Sequence, residues 1–427
     1  MNGDHLRPRW TLRLLVILAA IFLAAAPPYA NRAAFAASDA PAPLLKKGHP
    51  VSWWFVFKLK ATDFPDCSGT RTCPFGGSVQ TYTAFSQSYV YASSEDEVLQ
   101  DGGGCLGTTK ADPVGATFDE VYNGSYFYVV WNDQFYKDPE IKGCGDSCSA
   151  PWGHSKGMLA WNKDGDGVVM QVTTPSWPAS GSADFPRHTD GNTLGCIENN
   201  NVKYSQDFFA LKLNKDDVLK VLAALRNASV VTDTKDPQIV RNGGPEDVKQ
   251  AVSKLGIRSS SKTVTKDMLS SGVVLISKPS KLYVPPWQMV SSLLGGVSIR
   301  AATWWSRNRI YSTTTSTSIG CWEHALKDPG AVEIATTGQW DGKSFSLKGG
   351  ANHAKIGASI SGEHQYVIFG DLNQEGALRR NYAYNGQTCS SSQNGRGGLF
   401  YVLDDKQLAA AVKGLIKGES APTQAPR

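Results

Sequence analysis

The sequence predicts an α/β protein built from two similar halves, each a mixed β-sheet flanked by helices, and three observations predict it. Forty-two glycines, twelve tryptophans and many Ser/Thr/Asn clusters within 41% hydrophobic composition point to short strands and turns around a substantial core rather than to helical bundles. A His-x-Lys pair occurs twice, at His154/Lys156 and at His353/Lys355. Each copy is followed in the same order by a returning strand, a cysteine, another strand and an acid-led helix, the pattern left by an internal duplication.

The chain begins with Arg7, Arg9 and Arg13 before an apolar run from Leu14 to Ala26, and Ala34-Phe35-Ala36 offers a small-x-small cleavage site. Residues 1–36 therefore read as an export signal; the run is short for a membrane span, so no stable membrane association is expected. The chain carries +5 overall, and the four arginines and one aspartate of the signal account for +3 of it, leaving about +2. A general attraction to polyanions is excluded by so small a charge, and any such binding must come from local patches. Residues 37–47 read as a linker, 48–232 and 239–416 as the two halves, and 417–427 as a flexible tail. The 427 residues suit one large pseudo-symmetric unit as well as two or three domains.

In the first half, Val51 to Lys58 is an aromatic, β-branched run expected to form a buried strand, and Tyr126 to Trp131 is another. The run from His154 through Trp161 is strand-like, Asn162 to Gly167 is a turn, and Val168 to Pro175 returns. Cys196, the strand Phe208 to Leu213, and a helix opened by Asp216-Asp217 follow. The second half opens with Gly272 to Ile276 and places a strand from His353 to Ser361, a turn at Gly362 to Gln365 and a return from Tyr366 to Asp371. Cys389, the strand Gly398 to Leu403, and a helix opened by Asp404-Asp405 complete the match.

All eight cysteines lie beyond the signal, and an even number in an exported chain favours up to four disulfides among about 105 pairings. Cys144-x3-Cys148 has the spacing of metal ligands, but no second close Cys/His pair completes a site, so a disulfide is the expectation. Asn162-Lys-Asp-Gly-Asp-Gly167 begins like a calcium loop, yet Thr173 stands where the twelfth position needs glutamate; a hairpin turn explains it better.

If the His353 segment is a strand, His353 and Lys355 project from one face. That arrangement suits a phosphate, since lysine supplies fixed positive charge and imidazole can act as nucleophile or proton donor. A pseudo-twofold axis between the halves would bring His154, Lys156, His353 and Lys355 to one phosphate-sized site.

With these residues in view, the chain resembles the deoxyribonuclease II family of the phospholipase D-like fold. Trp131-Asn-Asp-Gln134, Gly153-His-Ser-Lys-Gly157, Asn192-Thr-Leu-Gly-Cys196, Asn352-His-Ala-Lys355, and Gly370-Asp-Leu-Asn373 followed by Gly397-Gly398 occur in that family's order, over residues 48 to 416. The resemblance implies a phospholipase D-like pseudodimer that cleaves DNA endonucleolytically without a metal or cofactor, prefers acid, and leaves 3′-phosphate ends. Carried over, His154 and His353 are the catalytic histidines, and Lys156 and Lys355 hold the phosphate. The family's first returning strand often carries a further histidine, where this chain reads Met170 to Pro175. The wider superfamily's aspartate five residues after the lysine is also absent, its places taken by Trp161 and Ile360.

Two histidines allow a double displacement, with one neutral imidazole as nucleophile and one protonated imidazole as acid. His154 is assigned the first role and His353 the second, although the reverse assignment is chemically equivalent. Asn373, Asp371, His188, Lys278 and Lys281 are the candidate substrate-binding residues, DNA is the expected partner, and the chain suits a monomer or a homodimer. Trp304-Trp305-Ser-Arg307-Asn-Arg309 interleaves rings with cations as a nucleic-acid groove would, and as core tryptophans beside surface arginines also would. Two other functions use the same residues: a phospholipase D-type phosphodiesterase, and a secreted DNA- or glycan-binding module without chemistry.

Overall fold

Runs of aromatic and β-branched residues set the strands, and six of those described are buried from end to end. The computed structural model describes residues 40–424 except 66, 68–71, 80–84, 198 and 381–387, so the expected export signal lies outside the described residues. Residues Asp39–Arg427 form one compact unit. Among the described residues no helix is long and apolar enough to cross a membrane.

A short hairpin, β1 (Leu44–Lys46) and β2 (His49–Pro50), lies against helix α1 (Pro113–Tyr122). The Leu44 amide donates to Thr117 Oγ1 at 2.9 Å and the Ala42 amide to Glu120 Oε2 at 3.0 Å, so the stretch expected as a linker is docked.

The first sheet contains β3 (Trp53–Lys58), β4 (Tyr89–Ser93), β5 (Asp96–Asp101), β6 (Phe127–Asn132), β7 (Lys156–Trp161), β8 (Gly167–Val172), β9 (Gln206–Leu213) and β10 (Val240–Arg241). Its order is β10-β6-β7-β8-β9-β3-β4-β5 and every pairing is antiparallel, so the mixed sheet expected here is not mixed. Helix α2 (Lys215–Ala228) lies between β9 and β10, and α3 (Glu246–Val252) follows β10.

The second sheet draws on β11 (Thr265–Met268), β12 (Val274–Lys278), β13 (Ile299–Ala302) and β14 (Val332–Ile334), with helix α4 (Pro286–Leu293) between β12 and β13. After a separate hairpin, β15 (Thr337–Trp340) and β16 (Lys343–Ser346), it adds β17 (Ile356–Ser359), β18 (Tyr366–Gly370) and β19 (Gly398–Asp404), and helix α5 (Lys406–Leu415) ends the series. The order is β11-β12-β19-β18-β17-β13-β14, antiparallel except for β13 with β14. Thus β6-β7-β8-β9-β3 in one sheet and β13-β17-β18-β19-β12 in the other have the same succession of matched strands.

The apolar faces of the sheets meet. Phe55 of β3 and Phe209 of β9 each stack on Phe369 of β18 with centroids 4.6 Å apart, and Phe209 also meets Tyr401 of β19 at 5.6 Å. Burial of each such ring contributes about 1.5–3 kcal/mol, and β3, β7 and β8, largely apolar, are buried along their whole length. The helices cross over: α2 packs on β12, where Ser277 Oγ donates to the Ala224 oxygen at 2.9 Å, and α5 packs on β5.

Local chemistry explains both expected helices. Asn214 caps α2 by accepting from the Asp217 amide at 2.9 Å, and Asp405 caps α5 by accepting from Leu408 at 2.8 Å. The turn between β7 and β8 is closed by Asn162 Oδ1, which accepts from the amides of Asp164 and Asp166 at 3.0 and 3.1 Å. The disulfides are Cys67–Cys105, Cys73–Cys196, Cys144–Cys148 and Cys321–Cys389. The matched Cys196 and Cys389 are therefore each tied to an upstream cysteine. The tail differs from expectation as far as Gln424: Arg300 donates to the backbone of Ile416, Gly418 and Glu419, and Ala421 is buried.

Candidate active site

The two histidines precede their strands instead of lying on them. β7 starts at Lys156 and β17 at Ile356, and the reason is where the histidine amides bond. His154 N donates to the Gly397 oxygen at 2.8 Å, just before β19, and His353 N donates to the Ser205 oxygen at 2.7 Å, just before β9. Each His-x-Lys segment is thus pinned to the chain feeding the opposite sheet. The lead-in to each returning strand pair is matched too: Thr173 Oγ1 accepts from Asp207 N at 2.9 Å, and Asp371 Oδ2 accepts from Leu399 N at 2.9 Å.

His154, Lys156, His353 and Lys355 form one electrostatic cluster. The His353 imidazole is pushed well below its usual range by burial, then by Lys355, Lys156, His154 and Lys58. That of His154 is pushed down by burial, then by Lys156, with Asp133 opposing and Arg396 and Lys355 adding to the depression. Both residues are half-buried. The site therefore favours two neutral imidazoles until an acidic medium or an anionic ligand supplies the missing charge.

The rings are held differently. His154 Nδ1 lies 2.9 Å from the backbone oxygen of Asp371, and because a carbonyl can only accept, Nδ1 carries the proton and the Nε2 lone pair is free. This carbonyl orients the ring without a carboxylate partner. The His353 ring makes no protein hydrogen bond among the described residues and instead packs in a three-ring cluster with Tyr204, near-parallel at 5.2 Å, and Trp304, tilted at 4.6 Å.

Lys156 donates to Asp133 Oδ1 at 2.6 Å, both side chains being buried. Arg396 donates to Asp133 Oδ2 at 2.8 Å and to the carbonyls of Trp152, Cys148 and Gly153. Burial alone would raise the Asp133 carboxyl, but Lys156, His154 and Arg396 together hold it well below the usual range. Lys355 is pushed down to about 8 by burial and then Lys156, and its ammonium donates to the His353 oxygen at 2.6 Å. Its amide donates to Asp207 Oδ1 at 2.7 Å. Asp207 is pushed up to about 7 and Asp371 up to about 6, burial leading in both.

The remaining candidates divide. Asp371 lies at the cluster through its carbonyl, and Asn373 is buried nearby in sequence, donating to Glu375 at 3.3 Å. His188 is exposed on a polar loop whose amide donates to Asp138 at 2.9 Å, and none of its bonds reaches the cluster. Lys281 is exposed. Lys278 departs from expectation as a surface phosphate contact: it is fully buried at the end of β12, pushed down to about 7, and donates to the oxygens of Asn394 at 2.7 Å and Arg396 at 2.9 Å. Its match is Lys58 at the end of β3, equally buried, also about 7, and donating to the Val202 and Leu59 oxygens. Lys278 grips the residue just before the Gly397 carbonyl that holds His154, and Lys58 grips a carbonyl three residues before the Ser205 carbonyl that holds His353.

Sequence reasoning did not single out Asp133, Arg396, Asp207 or Lys58. A signal existed for Lys58 and Lys278, since each ends a fully buried strand. Among the described residues no three His, Cys, Asp or Glu side chains are placed to hold a metal ion.

No curated protein matches the chain at a significant level. The profile of the family described as Deoxyribonuclease II matches residues 43–418, which include both His-x-Lys segments and every strand from β3 to β19. A match over nearly the whole chain shows that it belongs to the deoxyribonuclease II family.

Proposed function

We propose that the protein is an exported endodeoxyribonuclease that works in acid without a metal ion, cutting DNA to 3′-phosphate and 5′-hydroxyl ends through a phosphohistidine. The matched strand orders and reciprocal histidine bonds support reading the fold as a phospholipase D-like pseudodimer. Four disulfides suit an oxidising, extracytoplasmic compartment.

The bond from His154 Nδ1 to the Asp371 carbonyl carries the assignment of roles. It leaves Nε2 as a neutral, oriented nucleophile. In the first step Nε2 attacks phosphorus, the P–O5′ bond breaks, and protonated His353 gives its proton to O5′. In the second, neutral His353 takes a proton from water, hydroxide attacks phosphorus, and the P–N bond breaks to free the 3′-phosphate. Lys156 and Lys355 stabilise charge on the non-bridging oxygens, with Asn373 as a further donor, and these fixed charges do the work a metal ion would otherwise do. The depressed histidines explain the acid requirement, because His353 is protonated only below the ordinary imidazole range.

The test uses plasmid DNA, and thymidine 3′-(p-nitrophenyl phosphate), whose leaving group needs no acid, in excess chelator at pH 5. Wild-type protein is expected to nick the plasmid and turn over the diester. His353→Ala should release one equivalent of p-nitrophenol and then stall with a nucleotide on His154, seen by mass; His154→Ala should release none. Intact plasmid would sink the nuclease reading, and a burst from His154→Ala alone would reverse the roles.

A further inference from the structure

The two His-x-Lys segments sit in matched frames with unmatched neighbours. Asn132 pairs with Lys156 at the end of β6, and continuation of the β13 register puts Thr303 opposite Lys355, so Trp304 occupies the place of Asp133. The bonds from His353 to Ser205 and from His154 to Gly397 likewise match Tyr204 with Arg396. An ion pair therefore stands beside His154, and two aromatic rings stand at the same positions beside His353.

We propose that Tyr204 and Trp304 form a base-stacking subsite that receives the nucleobase immediately 3′ of the scissile phosphate. This rests on the nuclease reading above, in which His353 protonates the departing O5′; the nucleotide bearing that oxygen is the one 3′ of the break.

The two rings meet edge to face at 6.0 Å and both contact His353. Both are half-buried. Neither the Trp304 indole N–H nor the Tyr204 hydroxyl has a protein partner among the described residues, and neither atom is sealed from solvent, so both polar edges are open to a ligand. Cations border them: Lys203 lies 5.1 Å from the Tyr204 ring centre, and Arg307 and Arg309 are exposed on the turn beyond Trp304. Rings next to cations are the usual means of holding nucleic acid without reading its sequence, since every base offers a π-face and every linkage a charge. No ring contacts His154 among the described residues, so the substrate would be gripped by a base on one side of the phosphate only.

The experiment is a cleavage map of a 5′-labelled single-stranded oligomer carrying one tetrahydrofuran (abasic) residue, cut by the full-length mature protein. Wild-type protein should cut the bond immediately 5′ of the abasic residue about tenfold less than neighbouring bonds, the scale of one lost stacking contact. Trp304→Ala and Tyr204→Leu should flatten the map, and Trp304→Phe should keep the dip. An even wild-type map, a dip on the 3′ side of the abasic residue, or a dip that survives in Trp304→Ala overturns the subsite while leaving the nuclease reading intact. If no bond in any oligomer is cut, both fall together. Should Trp304→Ala fail to fold, the wild-type and Trp304→Phe maps still decide.

Discussion

Arg396 donates to Asp133 at 2.8 Å, joining the segment ahead of β19 to the residue that follows β6 and holds Lys156. Because Asp133 is buried, removal of this partner leaves a carboxylate with half its compensation and three carbonyls without a donor. Arg396→Ala should cost about 2–3 kcal/mol in denaturant unfolding. A double-mutant cycle with Asp133→Asn should show coupling of about 1–3 kcal/mol. Additivity within error would mean that the pair is not linked.

Activity should be confined to acid. Burial and then Lys355 depress His353, so its protonated form, and with it kcat/KM, falls as pH rises, with a midpoint below about 6.5. Lys355→Met removes a repelling cation. The rate should drop, but the midpoint of the surviving activity should move to higher pH. An unmoved midpoint would show that the limb belongs to another group.

Asp371 governs a different pH dependence. Its carboxyl is raised to about 6 when folded, against about 3.9 unfolded. A carboxyl raised by folding gives stability that is full below the unfolded value and lost as pH rises through the folded one, so this contribution fades between about pH 4 and 6. Asp371→Asn keeps an acceptor for the Leu399 amide and cannot ionise. Thermal melts should show little difference from wild type at pH 4 and a more stable variant at pH 7.5; a variant less stable at pH 7.5 would contradict the burial argument.

Lys58 and Lys278 should act on different histidines. Lys58→Met and Lys278→Met each leave carbonyls unpaired and should each cost about 1–3 kcal/mol. Lys278 grips Asn394 and Arg396, ahead of the Gly397 carbonyl that holds His154, so its loss should slow the p-nitrophenol burst. Lys58→Met should leave that burst nearly intact and slow turnover of substrates that need His353. Equal effects of both variants on both steps would argue against separate positioning.

Side chains that repeat were legible in the sequence, and backbone partners were not. The two His-x-Lys pairs, the two hairpins and the acid-led helices could be read because their spacing recurs and their caps have known chemistry. The histidines were misassigned to strands because the bonds that lift them out go to Gly397 and Ser205 oxygens, which any residue could supply. The same holds for the Asp371 carbonyl on His154. Lys278 looked like a surface cation because lysine is rarely enclosed; only the carbonyls that converge on its ammonium make that burial tolerable.

The crossed amide bonds, His154 to Gly397 and His353 to Ser205, have a consequence for how the molecule could be taken apart. Neither His-x-Lys segment finds its anchor within its own repeat, so each repeat expressed alone would have its histidine adrift. Two inert fragments divided between α2 and β11 would become active only on reassembly. Recovery of cleavage would then report on completed docking, a reconstitution assay written into the chain by the two crossed bonds themselves.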